Sequence, residues 1–159
     1  MKIDELFCTD AILLNFSARN KTSALEELTK HFVRVYPKMN QSELRQALSE
    51  REELGSTGIG DGVALPHANV NQIVHPKVLL AVSERGVEFN SIDGGLTHFL
   101  ILIVYPQSFV GRQTQVLSKI ARLFREKSLR QAILKAESNL QGEDPILSGT
   151  KPMFFYHHK

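Results

Sequence analysis

The chain has no tryptophan and only one cysteine, Cys8, among its 159 residues. A single cysteine cannot form an internal disulfide or a CxxC metal site, and its presence fits a reducing compartment. No apolar run approaches the roughly 20 residues of a membrane span. The first residues include acids where a secretory signal needs an apolar segment. The sequence therefore predicts a soluble, cytoplasmic protein without membrane insertion.

The chain also lacks a large excess of either sign of charge, because 19 basic and 17 acidic residues give a formal net charge of +2. The two signs are mixed along the chain, so no basic arm indicates a nucleic-acid or membrane partner. Four of the histidines, His31, His67, His75 and His98, lie in different predicted elements without HxH, HxxxH or HExxH spacing, which argues against a metal site. His98 opens a buried strand and is expected to be a hydrogen-bonded structural residue.

Hydrophobic residues make up 42% of the chain, enough for one domain with its own core. Asn20 is expected to cap a helix that extends to about Val35. Asn40 has capping-box spacing to Glu43 and is expected to cap a second helix that ends near residue 53. A brief helical turn is predicted at 3–7. Two later helices are predicted at 111–124 and 128–136. Strands are predicted at 11–16, 63–65, 78–82, 87–89 (an edge strand) and 98–104 (a central one). Helices around buried strands predict an α/β fold, a three-layer α/β/α sandwich.

The most distinctive stretch is residues 54–68, with the sequence LGSTGIGDGVALPHA. Its four glycines permit positive φ and allow backbone amides to converge on an anion. Pro66 is expected to end the short strand before it and to present His67 at the strand end, with a loop over 69–76. Residue chemistry alone leaves two interpretations: a reactive histidine beside an anion-binding loop, or a tight β-hairpin-like loop with a satisfied histidine at its edge.

Three better-known motifs do not fit this stretch. Gly55 and Gly60 have Walker spacing, but Asp61 and Gly62 follow where Lys and Ser/Thr would hold phosphates and magnesium. A dinucleotide motif follows a strand and opens a helix, whereas this loop leads into a strand. No G-x-S-x-G sequence supports a serine hydrolase. The loop is therefore not that of an NTPase, a dinucleotide enzyme or an α/β-hydrolase.

The segment from Arg51 to His67, with RxxLGSTGIG followed by GVALPH, resembles the enzyme IIA proteins of the bacterial phosphotransferase system, in the nitrogen-regulatory or fructose/mannitol branch. The resemblance covers residues 1–137 and implies an enzyme IIA-like phosphocarrier domain there, with a small mixed sheet flanked by helices. Residues 138–159 are expected to be a C-terminal tail without the last helix usual in that family.

In the family, the histidine after the proline accepts a phosphoryl group from the phosphohistidine of a small carrier protein, without a metal ion or a nucleotide. That residue here is His67. Arg51, sixteen positions upstream, matches the family's active-site arginine. The family's second histidine falls on Gln113, which keeps a donor but cannot titrate near neutral pH. Donors to the phosphoryl oxygens are expected from the loop residues Ser56, Thr57, Gly58, Gly60 and Gly62.

Histidine suits such a relay, because a neutral imidazole is nucleophilic near neutral pH and its N–P bond is labile. The resemblance predicts a phosphotransferase whose donor is a histidine phosphocarrier protein (HPr-like), docked on an apolar rim for which Ile59, Val70 and Phe109 are candidates. Because the chain has no room for IIB or IIC domains, a nitrogen or metabolic regulatory role is expected, with a kinase, transporter or IIB protein as a further partner. Two alternatives stay open: a phosphate-independent binding module of the same fold, and the IIA component of a fructose or mannitol transporter.

Overall fold

The structure of the protein, a computed structural model, describes residues 11–139. The predicted turn at 3–7, Cys8 and nearly all of the predicted tail at 138–159 lie outside these residues. The elements within them are β1 (Ile12–Leu13), α1 (Lys21–Val35), α2 (Gln41–Glu53), β2 (Gly58–Gly60), β3 (Val63–Ala64), β4 (His67–Val70), β5 (Lys77–Val87), β6 (Thr97–Pro106), a 3₁₀ turn (Gln107–Phe109), α3 (Gln113–Phe124) and α4 (Lys127–Asn139). No helix in 11–139 has the length and apolar content to cross a membrane.

The strands form one mixed sheet in the order β1-β5-β6-β3-β2, and β4 also pairs with β6. Strand β6 runs antiparallel to β5 and parallel to β3 and β4. Its residues 100–105 have no exposed surface, as expected of a strand that is covered on both faces. The prediction of a central strand in this region is confirmed.

Two cores lie on opposite faces of this sheet. Leu100, Leu102 and Val104 of β6 pack with the apolar face of α1 and α2. The alternate residues Ile101 and Ile103 pack with α3 and α4, because successive strand side chains point to opposite faces. The fold is therefore the predicted three-layer α/β/α sandwich.

Both predicted caps begin their helices. Asn20 Oδ1 accepts from Ser23 N at 2.9 Å, and Ser23 Oγ and the Asn20 backbone complete the capping box. Asn40 Oδ1 accepts from Glu43 N at 3.0 Å. The reciprocal half of that second box is not formed, since the Glu43 carboxylate instead accepts from the Gln72 side chain. The local sequence thus predicted where both helices begin, but the Glu43 side chain is hydrogen-bonded to a residue distant in sequence.

The predicted strand at 63–65 ends at Ala64, before Pro66, but the prediction that His67 lies at the end of that strand was wrong. Val63 pairs with Phe99, and His67, four residues on, pairs with Ile103, so β3 and β4 share one register along β6. The Pro66 carbonyl accepts from Ile103 N at 2.9 Å, which keeps the ladder going across the missing proline N–H. His67 therefore begins a strand, and the predicted loop at 69–76 starts only after its first two residues.

Two other strand predictions need correction, and one strand was not predicted. The predicted edge strand at 87–89 does not exist, because β5 continues through Gly86, at φ 89°, with a register shift before Val87. The predicted strand at 11–16 shrinks to two paired residues. The glycine loop contains the strand β2, which pairs antiparallel with β3.

Candidate functional site

His67 is half-buried at the start of β4, and both ring nitrogens have partners. Nδ1 lies 2.8 Å from the Leu65 carbonyl oxygen. A carbonyl only accepts, so Nδ1 carries the proton and Nε2 keeps its lone pair. The backbone two residues upstream thus selects the tautomer in which Nε2 carries the lone pair.

Arg51 approaches that lone pair from the last turn of α2. Its Nε donates to His67 Nε2 at 3.2 Å, and its Nη1 donates to the Gly55 carbonyl oxygen at 2.9 Å. The second contact ties the guanidinium to the start of the glycine loop. The cation is therefore held beside the nitrogen that would receive an anionic group.

Burial has the largest effect on the pKa of His67 and lowers it below the usual 6.5. The hydrogen bond to the Leu65 carbonyl opposes this shift, the charge of Arg51 adds to it, and the charge of Glu52 opposes it. The net lowering keeps the imidazole neutral at pH 7, which is the nucleophilic form.

Tyr105, at the end of β6, connects the histidine to the start of α3. Its ring centroid lies 6.4 Å from that of His67 in an edge arrangement, and it stacks on Phe109 at 5.8 Å. Its hydroxyl donates to the Gln113 carbonyl at 3.2 Å. Burial raises the pKa of this phenol, so the hydroxyl remains a donor. Sequence reasoning did not single out Tyr105, which lies one residue beyond the predicted strand at 98–104.

A cavity of about 340 Å³ brings the three predicted catalytic residues together. It is lined by Ala47, Glu50, Arg51, Leu54, His67, Ala68, Asn69 and Gln113. The Gln113 amide nitrogen donates to Asn69 Oδ1 at 2.8 Å, and Asn69 Nδ2 donates to the Pro106 carbonyl at 3.4 Å. Sequence reasoning missed Asn69, although its place two residues after His67 on a strand puts both side chains on one face.

The predicted phosphate loop is a β-hairpin with its turn at Asp61 and Gly62, where φ is 54° and 76°. Gly58 N donates to Ser56 Oγ at 3.1 Å, and Asp61 N donates to a carboxylate oxygen of Asp93 at 3.1 Å. Gly60 belongs to β2, where its Cα lies opposite Val63. The loop therefore has the geometry of the hairpin alternative, and the amides of Gly58 and Asp61 have protein acceptors. A phosphate role for these residues remains a prediction.

Thr57 instead joins the hairpin to α2 through a buried carboxylate. Glu52 accepts from the Thr57 hydroxyl and, at 3.2 Å, from Thr57 N. Lys21 Nζ lies 2.8 Å from the same carboxylate, whose side chain is 5% exposed. This buried ion pair, absent from the sequence predictions, fixes the residue next to Arg51. No local pattern could have paired positions 31 apart.

One of the three residues predicted to form an apolar rim around His67 lies in the core. Val70 is buried in the core on the α1 and α2 side, so it is not a rim residue, and Ile59 and Phe109 are half-buried. An exposed apolar side chain that does line the cavity is that of Leu54, which is 85% exposed.

The other histidines do not assemble into a metal centre within residues 11–139, where no three His, Cys, Asp or Glu side chains are placed to hold an ion. His98 Nδ1 lies 2.8 Å from the Ser83 carbonyl oxygen. The predicted structural role of His98 is confirmed by this hydrogen bond.

The family model described as "Phosphoenolpyruvate-dependent sugar phosphotransferase system, EIIA 2" matches residues 5–141. A nitrogen regulatory protein of Bradyrhizobium diazoefficiens is 29% identical over 148 residues, which are 93% of this chain and 95% of that protein. The fructose-specific EIIABC component of Bacillus subtilis is 29% identical over 92% of this chain, but the chain spans only 22% of it.

Solved structures share the fold. The nitrogen regulatory protein IIA-Ntr of Neisseria meningitidis matches with a TM-score of 0.76 and 25% identity, over 92% of this chain and 96% of that one. The mannitol enzyme IIA of Escherichia coli, solved in complex with phosphorylated mannitol enzyme IIB, matches with a TM-score of 0.65 and 21% identity, over 78% of this chain and 86% of that one. The architecture is thus shared with solved enzyme IIA proteins.

Proposed function

The chain belongs to the EIIA 2 family of the phosphoenolpyruvate-dependent sugar phosphotransferase system, and we propose that His67 is the histidine that carries the phosphoryl group. EIIA domains are phosphotransferases that accept this group from a phosphocarrier protein and pass it to a IIB component. The observation that carries the proposal is the pairing of the ring, with Nδ1 fixed by the Leu65 carbonyl and Nε2 facing Arg51. We place the phosphocarrier domain at residues 1–137.

The transfer begins with attack of the His67 Nε2 lone pair on the phosphorus of the donor's phosphohistidine. The donor N–P bond breaks, and its electron pair returns to the donor imidazole. The Nδ1 proton of His67 stays in place and donates to the Leu65 carbonyl, which stabilises the positive charge that the ring gains. No metal ion or nucleotide is needed for this step.

The charge-rich transition state requires positioned donors around the phosphoryl oxygens. The guanidinium of Arg51 is already beside Nε2 and needs only to shift its hydrogen bond to an oxygen. Gln113 lines the same cavity and is the first residue of α3, so the positive end of that helix dipole also favours negative charge there. These three features together support phosphoryl transfer over simple structural burial of a histidine.

We assign the donor to an HPr-like histidine phosphocarrier protein that works in the cytoplasm. A donor ring must meet His67 face to face, and the exposed side chain of Leu54, which lines the cavity, provides apolar contact area there. Such contacts bury apolar surface on association and exclude water from the reacting groups.

We favour a nitrogen or metabolic regulatory role, with a kinase, transporter or IIB protein as the next partner. The similarity spans nearly the whole length of the Bradyrhizobium diazoefficiens nitrogen regulatory protein. Gln113, which lacks a titrating ring, suits a phosphorylated state that must persist. Rapid transfer to a fructose or mannitol IIB protein would instead identify a sugar-transport component.

The test is incubation of the full chain with phosphoenolpyruvate, enzyme I and HPr, followed by peptide mapping of acid-labile phosphate. His67→Ala should lose the label, and His75→Ala, at an exposed histidine, should keep it. Label on another histidine would refute the assignment of His67. No label on the natural protein, together with phosphate-independent partner binding, would favour a binding module of this fold.

A further inference from the structure

Three polar groups form a chain from the end of the sheet to the edge of the His67 cavity. The Pro106 carbonyl accepts from Asn69 Nδ2 at 3.4 Å, and Asn69 Oδ1 accepts from Gln113 Nε2 at 2.8 Å. Asn69 and Gln113 both line the cavity with His67. Asn69 is fixed in β4, two residues after His67, where it pairs with Tyr105.

This chain has only one consistent direction. The Pro106 carbonyl can only accept, so the Asn69 atom facing it must be the amide nitrogen. The Asn69 oxygen then faces Gln113, so the Gln113 atom that donates to it must be the amide nitrogen. Reversing either amide would bring two oxygens together at one of the two contacts.

We propose that Asn69 is a positioning residue that fixes the side-chain amide of Gln113 with its nitrogen on the phosphoryl side of the site. One hydrogen of that NH2 group is used by Asn69, and the second remains for a phosphoryl oxygen on His67. A glutamine turned the other way would present its oxygen and repel the anion. The inference rests on the proposed function of His67, and it gives Asn69 a role in the transfer itself.

The arrangement substitutes for an ionisable group. A histidine at this position could donate to a phosphoryl oxygen with either nitrogen, in a charge state set by pH. Glutamine has one donating end, and it assists only if something outside the side chain selects that end. The Asn69 and Pro106 pair makes that selection without titrating, so assistance from Gln113 should be independent of pH.

The first arm of the test examines the full, unphosphorylated chain by NMR of the side-chain amides. In the natural protein, one Gln113 amide proton should be shifted and slow to exchange, as expected of a hydrogen bond to Asn69. Asn69→Ala should remove that shift and leave the backbone spectrum folded. Asn71→Ala, at an exposed asparagine two residues on, is the matched control and should leave Gln113 unchanged. A free Gln113 amide in the natural protein would overturn the proposal without bearing on His67.

The second arm measures the rate of phosphoryl transfer from HPr to His67. Asn69→Ala should slow transfer about threefold to tenfold, the scale of one neutral hydrogen bond, and Asn71→Ala should not. In a Gln113→Ala background, the same Asn69→Ala change should have no further effect. An equal loss in both backgrounds, or no loss in either, would overturn the positioning role. Failure to label His67 in the natural protein would instead overturn the proposed function, and the amide spectrum would still decide how Gln113 is held.

Discussion

Arg51 Nε lies 3.2 Å from His67 Nε2, so the guanidinium donates to the one ring nitrogen that has a free lone pair. The other nitrogen is held by the Leu65 carbonyl at 2.8 Å. The same pair of contacts explains how an imidazole is kept in one tautomer and how an incoming anion would be met by a cation.

Arg51→Ala should slow phosphoryl transfer to His67 by about 10- to 1000-fold, which corresponds to about 1.5 to 4 kcal/mol of lost charge stabilisation. Arg51→Lys should recover only part of the rate, because an ammonium lacks the planar fork that also reaches Gly55. Quenched-flow kinetics with phosphorylated HPr measure both rates. Arg45→Ala, on the same helix, where Arg45 pairs with Glu26, is the control. If Arg51→Ala transferred the phosphoryl group as fast as the natural protein, Arg51 would have no role in the transfer.

The pKa of His67 is lowered by burial, so its NMR titration midpoint should fall below the usual value of about 6.5. The folded protein then binds fewer protons at this site than the unfolded chain. The resulting contribution to stability is fully present above the unfolded pKa and is lost as the pH falls through the lower, folded pKa. The transfer rate should likewise persist below pH 6.5. His67→Ala identifies the resonance, and a midpoint at or above 6.5 would contradict the burial argument.

Local chemistry was enough for the helices and the central strand. Asn20 and Asn40 begin the two helices that they were predicted to cap, since a cap needs only residues three positions away. Long-range contacts were not readable in the same way. Pro66 was expected to leave His67 at a strand end, but pairing along β6 resumes at His67, and Ile103 N donates to the Pro66 carbonyl between the two paired segments.

The candidate site was predicted only in part, because some of its contacts are also long-range. His67, Arg51 and Gln113 were identified from a motif and its spacing, and the cavity brings them together. Asn69 and Tyr105 were not identified, because their parts depend on partners 44 and 8 residues away. The glycine-rich loop suggested an anion site, and only the fold reveals that the Asp93 carboxylate already accepts from one of its amides.

Gln113→His should speed phosphoryl transfer and introduce a new pH dependence between about 5 and 8, because an imidazole titrates in this range and an amide does not. The natural protein should exchange phosphate more slowly and with a flatter profile. Stopped-flow or quench measurements from pH 5 to 8 compare the two. Identical rates and profiles would show that Gln113 is a neutral replacement.

Lys21→Met should destabilise the fold by about 3 kcal/mol, because it leaves the Glu52 carboxylate buried without its cation. Urea unfolding measures the change. Glu53→Gln, at the exposed neighbour of Glu52, is the control and should shift stability by no more than about 0.5 kcal/mol. A change in Lys21→Met as small as the control's would mean that the ion pair is energetically neutral.

The most direct measurement is the site of the N–P bond in the phosphorylated protein, read from one-bond ¹⁵N–³¹P coupling after ¹⁵N-histidine labelling. The Leu65 carbonyl holds the proton on Nδ1 and leaves the lone pair on Nε2. The coupling should therefore appear at Nε2 of His67 and vanish in His67→Ala. Coupling at Nδ1 of His67, or at any other histidine, would contradict the account.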